Sequence, residues 1–142
     1  MNDRSDRHHI LVAELVEVFK QQGFSVVAAD GISGYRQPKP LPNDGYGDQE
    51  PKAPDVMAFD EKEKRLVLGE AKTGDDDLET EHALTQYNVY LDQFDRTTGE
   101  QALLHIIVPA SVVAEFNTLI THYIHREYWR SIVVVSSKRL PD

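Results

Sequence analysis

The chain reads as a single α/β domain with a central mixed sheet flanked by helices, and three observations predict it. Apolar residues recur at helical spacing in three stretches, short β-branched runs separate them, and helical stretches divide the later strands from one another. Strands joined through a helix pair in parallel, whereas a tight charged turn between two strands gives an antiparallel hairpin, so the sheet must be mixed. The 142 residues, 40% of them hydrophobic, suffice for one core, which makes 1–142 one domain.

The elements follow in order. Leu11, Leu15, Val18 and Phe19 place a first amphipathic helix over His9 to Gln22, and Gly23 stops it. Phe24 to Ala29 is a short apolar strand. Asp30 to Ala53 holds four of the seven prolines and half of the eight glycines, so it reads as a long loop, extended around Pro38, Pro40 and Pro42. Pro54 to Asp60 and Arg65 to Thr73 form a hairpin about the charged turn Glu61 to Lys64. A second helix spans Thr80 to Phe94, with Leu84, Tyr87, Leu91 and Phe94 on its stripe. Gln101 to Pro109 is a buried strand. Ser111 is placed to cap a third helix that runs to about Arg126, and Ser131 to Ser137 closes the order with a β-branched strand.

Composition narrows the chemistry. No apolar run approaches the roughly 18 residues that cross a bilayer, and no signal-type block follows the charged N-terminus, so a soluble, cytoplasmic protein without membrane partners is expected. Cysteine is absent, which leaves carboxylates and imidazoles as metal ligands and favours hard cations. The net charge of -9 argues against a broad basic surface for gripping phosphate backbones. Five acids fall between Gly74 and Glu81, whereas Arg126, Arg130, Lys138 and Arg139 gather near the C-terminus.

The stretch Pro54 to Lys72 carries the site. Side chains alternate along a strand, so Leu66, Leu68, Glu70 and Lys72 share one face while Val67, Gly69 and Ala71 share the other. An ordinary hairpin register then sets Asp55 beside Glu70 and Lys72. Two carboxylates and an ammonium at one point are suited to holding a divalent cation and activating a water.

Pro54-Asp55 and Glu70-Ala71-Lys72, with these flanks, resemble the PD-(D/E)xK nuclease superfamily, which includes type II restriction endonucleases and archaeal-type Holliday junction resolvases. The resemblance covers most of the chain and implies a restriction endonuclease-like sheet in the order α-β-β-β-α-β-α-β. It implies that Asp55, Glu70 and the Ala71 carbonyl hold Mg2+, with Mn2+ as a substitute, and that Lys72 orients or helps deprotonate the attacking water. It further implies hydrolysis of DNA phosphodiesters, and a homodimer where both strands are cut together. Glu14, flanking the Leu11-Leu15-Val18 stripe at roughly 100° per residue, matches a first-helix glutamate that reaches the metal through water. Gln86 and Tyr90 match the Gln-x-x-x-Tyr of RecB-like members, one turn apart and on a different face from Leu84 and Leu91.

Other readings stand beside this one. A Glu-x-Lys triplet is common on solvated strand edges, and the same fold without hydrolysis would serve as a binding or regulatory module or as a DNA-binding subunit. The run Asp75, Asp76, Asp77, Glu79 and Glu81 lacks the ligand spacing of a calcium loop and reads as solvated helix N-terminal charge. His8 and His9 read as exposed tail, His105 as a satisfied interior residue, and His122 and His125 as surface residues without an acidic partner at ligand spacing. Tyr128, Trp129 and Arg130 read as packing against a sheet edge or a partner.

Overall fold

A computed structural model describes residues 4–41, 53–74, 81–93 and 98–142, with the main chain alone at 4, 5, 81, 82, 84 and 85. The greater part of the Gly/Pro-rich loop, the acidic run at 75–80, Phe94 and the Leu84 side chain lie outside the described residues. The order is α1 (Arg4–Gln21), β1 (Ser25–Ala29), β2 (Val56–Asp60), β3 (Arg65–Ala71), α2 (Glu81–Leu91), β4 (Leu103–Val108), α3 (Val113–Tyr123) and β5 (Ile132–Ser136). Short 3-10 turns at Ala110–Val112 and Arg126–Ser131 precede α3 and β5.

One five-stranded mixed sheet runs β1-β2-β3-β4-β5, so spatial order follows sequence order. The first two pairings are antiparallel and the last two parallel. Helices α2 and α3 make the two parallel crossovers, which a hairpin turn cannot span. Strand β1 bulges between Val26 and Ala28, leaving Val27 half exposed on the sheet edge. Beyond it, Ala28 bridges Arg36, a short pairing inside the segment expected to be loop.

Alternation along the strands separates two cores. Leu11, Val12, Leu15, Val16 and Phe19 of α1 cluster with Ala58, Val67, Ala71 and Ile107. Tyr87, Tyr90 and Leu91 of α2 and Phe116, Leu119 and Ile120 of α3 cluster with Leu68, Leu104, Ile106 and Val108. Helix α1 therefore covers one face of the sheet, and α2 and α3 cover the other. Helix and sheet approach closely at Gly69, where a Cβ would stand 2.7 Å from Leu15 Cδ2 and 3.0 Å from Phe19 Cζ. The helix ends in a Schellman-type cap: Gly23, at φ 83°, donates to Lys20 O, and Phe24 donates to Phe19 O at 3.0 Å. The Phe19 and Phe24 rings meet edge to face at 5.8 Å, the apolar contact that accompanies such caps.

Three local expectations are corrected. Helix α1 begins before His8, because Asp6 sits favourably in a first turn that packing then extends. Ser111 does not cap α3: it lies in the 3-10 turn, and Val112 precedes the helix without a side-chain cap bond. The third helix ends at Tyr123, and Arg126–Ser131 winds separately, with His125 Nδ1 accepting from Glu127 N at 3.2 Å. No helix of the described residues is long and apolar enough to cross a membrane.

Candidate metal centre

The hairpin register pairs Val56 with Gly69, which sets Asp55 opposite Glu70 at the open end of β2 and β3. Backbone bonds extend the ladder past the strand ends: Asp55 N donates to Gly69 O at 2.9 Å and to Glu70 Oε1 at 3.2 Å, and Lys72 N donates to Ile107 O at 3.1 Å. Ala71 N donates to Asp55 Oδ2 at 2.9 Å. Each carboxylate is thus fixed by the main chain opposite it. The hairpin itself, rather than a flexible side-chain network, sets their separation.

Glu70 and Lys72 project with Leu68 toward α2, and there the helix meets them. Lys72 Nζ donates to Gln86 Oε1 at 2.7 Å, lies 3.5 Å from Glu70 Oε2, and stands 5.7 Å from the centre of the Tyr87 ring. All are buried, with Glu70 only 2% and Lys72 6% exposed. Burying an ammonium costs several kcal/mol unless it is paired. The Gln86 oxygen and the Glu70 carboxylate are that pairing.

The two carboxylates are shifted in opposite directions. Burial, then the negative charge of Asp55, pushes the Glu70 carboxyl well above the usual range. For Asp55 burial is the largest single influence and acts upward, but the hydrogen bond and charge of His8, with the Ala71 amide, outweigh it and hold the group below its ordinary value. A proton shared by the pair is therefore held more readily by Glu70 than by Asp55. A divalent cation between them would allow Glu70 to ionise as well.

His8, expected in an exposed tail, packs instead against Asp55. It is half buried, with Nε2 3.1 Å from Asp55 Oδ2, and that bond raises its basicity against the opposing effect of burial. His8, Asp30 and Asp55 each offer a ligand atom within 4.8 Å of the others. Asp30 follows β1 directly, and its amide donates to Asp55 O at 2.8 Å. An apolar stripe that begins at Leu11 gives no sign that the helix starts a turn and a half earlier and turns His8 toward the strand ends.

Glu14, for which the resemblance implies a water-mediated metal contact, makes its direct hydrogen bonds elsewhere. Its oxygens accept from Ser137 Oγ at 2.6 Å, Lys138 N at 2.8 Å and Arg139 N at 3.4 Å. The reason lies in the layers: α1 packs against the Val67 and Ala71 face, whereas Glu70 and Lys72 face α2. Gln86 does join the cluster. Tyr90 and Leu91 are both fully buried. The Tyr90 hydroxyl, beside Gln86 but without a hydrogen bond of good geometry, is held protonated by burial and by the charges of Glu70 and Asp55.

The donors present fit a divalent cation. His8, Asp30 and Asp55 form the group that could hold it, Glu70 lies beside Asp55, and the buried Tyr90 hydroxyl has no hydrogen-bond partner. Comparison of the chain with protein-family models, with curated proteins and with solved structures finds no match.

Proposed function

We propose that this protein is a divalent-metal-dependent nuclease of the PD-(D/E)xK type, hydrolysing phosphodiester bonds in nucleic acid. The observation that carries this reading is the convergence of Asp55, Glu70 and Lys72 at the ends of two adjacent strands with Gln86 of α2, buried and linked in a chain of polar contacts. The α-β-β-β-α-β order and the mixed sheet support a restriction endonuclease-like fold.

Each residue has a task derived from its position. Asp55, whose carboxylate is favoured by His8 and Ala71 N, would hold the cation together with Asp30, and His8 would join them as a ligand on giving up its proton. Glu70 supplies the second carboxylate from the hairpin partner. When bound, Mg2+ or Mn2+ supplies a polarised water as nucleophile and neutralises charge on the scissile phosphate. Lys72 presents a fixed positive charge where negative charge develops, and Gln86 keeps the ammonium from collapsing wholly onto Glu70. A histidine ligand shifts preference toward Mn2+ over Mg2+, because imidazole suits the softer ion.

The test is cleavage of labelled single-stranded, duplex and branched DNA with Mg2+ or Mn2+. Activity is expected to vanish with EDTA, and Lys72→Ala should lower the rate about 100- to 1000-fold while Mn2+ affinity is retained. A preparation that binds Mn2+ and cuts none of these substrates would overturn the reading. It would select instead a binding module of the same fold, a reading that takes support from the net charge of -9.

A further inference from the structure

We propose that this protein pairs with a second copy of itself along the outer edge of β5, joining two five-stranded sheets into one of ten strands. The inference is independent of the nuclease reading and stands on the geometry of the sheet. Its two edges are built differently. At β1 the bulge between Val26 and Ala28 bends the strand, and Ala29 N donates to Arg36 O at 3.0 Å, so a following segment covers part of that edge. Strand β5 is regular, and among the described residues nothing pairs with its outer side. A regular open edge is a template for a further strand, and native proteins blunt such edges with bulges, proline or lysine. Ile132–Ser136 has none of these.

The hydrogen-bond pattern identifies the open groups. Ser137 N donates to Val108 O at 2.9 Å, and bonding groups alternate along a strand, so Val133, Val135 and Ser137 face β4 while Ile132, Val134 and Ser136 turn theirs outward. The Ile132 amide is taken by Trp129 O of the preceding turn. The outer edge therefore offers the amides of Val134 and Ser136 and the carbonyls of Ile132, Val134 and Ser136. An antiparallel twofold through Val134 matches this set to itself. Val134 of each copy exchanges both its bonds with Val134 of the other, and each Ser136 amide meets the Ile132 carbonyl opposite. Every open donor of the edge is satisfied in that register.

The side chains suit the same pairing. Ile132, Val133, Val134 and Val135 are β-branched and only partly buried, with Ile132 and Val134 against the core under α2 and α3 and Val135 against the core under α1. A further strand would cover both rows. The twofold sets Val133 against Val135 of the other copy, in the close, non-bonded kind of cross-strand pair. Ser131 to Ser137 carries no charge on a chain of net charge -9, so this neutral strip is where two like-charged copies can meet.

The size of the edge sets the strength. Five residues of strand span about 17 Å, which makes an interface at or below the roughly 1,200 Å2 of weak, transient complexes. The dimer is therefore expected to form at about 10–100 μM and not to be obligate. Because β3, β4 and β5 are parallel, antiparallel joining of the sheets turns the two candidate centres, which follow the end of β3, toward opposite ends of the assembly. Each copy then works alone, unlike a dimer that cuts both strands of a duplex together.

Sedimentation velocity of the full chain from about 1 to 300 μM tests the pairing, with amide exchange by nuclear magnetic resonance as its site-resolved counterpart. A reversible monomer-dimer equilibrium is expected, in which the Val134 and Ser136 amides exchange more slowly as concentration rises. Val134→Pro and Ser136→Pro each remove an outward donor and none that β4 uses, so each should weaken dimerisation at least about tenfold. A chain that stays monomeric at about 300 μM overturns the inference. So does a dimer that both substitutions leave intact, or one whose Val134 and Ser136 amides exchange as fast as in the monomer. Where a substitution unfolds the protein, the exchange of these amides in the unaltered chain decides.

Discussion

Glu14 shows how a buried carboxylate in an apolar stripe is occupied. Only 6% exposed, it gathers the Ser137 hydroxyl and the amides of Lys138 and Arg139, and Ser137 Oγ in turn accepts from Arg139 N at 3.1 Å and Leu140 N at 2.9 Å. One side chain of α1 thereby fixes the chain as it leaves β5. Glu14→Ala removes the acceptor and strands these donors, so it should cost about 2–3 kcal/mol of stability, measured as a lowered urea midpoint at unchanged slope. Mn2+ affinity should stay as it was. A loss of metal binding without loss of stability would return Glu14 to the metal centre.

At the scale of elements, the pairing of α1 with β3 positions the centre, because the helix carries His8 and the strand carries Glu70 and leads into Lys72. Their approach depends on Gly69, which has no side chain to keep Leu15 and Phe19 away. Gly69→Ala forces two fully buried side chains to move within a packed core, at a cost of about 1–3 kcal/mol. Chemical denaturation measures that cost, and tolerance within about 0.5 kcal/mol would show that α1 rides on the sheet less tightly than these contacts imply. The hairpin is legible in the sequence, since a charged turn between two apolar runs leaves a single sensible register. The start of α1 is not, because a polar first turn carries no apolar periodicity and is held by tertiary contact between His8 and Asp55.

Across the whole molecule, titration of the interior couples folding to pH. His105 lies in β4 between Phe19 and Phe24, with ring centroids 5.0 and 5.9 Å away, and Nε2 is 3.2 Å from Gln22 Oε1. Nδ1 is buried without a partner, so the interior residue expected from the sequence is only half satisfied. Burial, and then the charge of Arg65, lowers its pKa from 6.5 to about 4. The unfolded chain therefore takes up a proton near pH 6.5 that the folded chain refuses until about pH 4. Stability falls across that window as pH drops, by up to about 3 kcal/mol from this residue. His105→Phe should flatten that part of the stability curve in denaturant melts between pH 7 and 4, and an unchanged slope would mean that the ring is charged in the fold.

Local rules written in the chain suffice for the layered α/β class, the antiparallel hairpin and the adjacency of Asp55, Glu70 and Lys72, because strand alternation and a short turn act over a few residues. Gln86 is marked only by the resemblance of Gln86 and Tyr90 to a Gln-x-x-x-Tyr pattern, and its meeting with Lys72 is a tertiary contact. Which residue α1 sends to that centre is settled by tertiary packing alone. Packing chooses the face of the helix, the layers put Glu14 beside the last strand and its exit, and an extra turn and a half of helix carries His8 to Asp55. Periodicity dictates which residues are buried, but the crossing of one element over another dictates which of them meet.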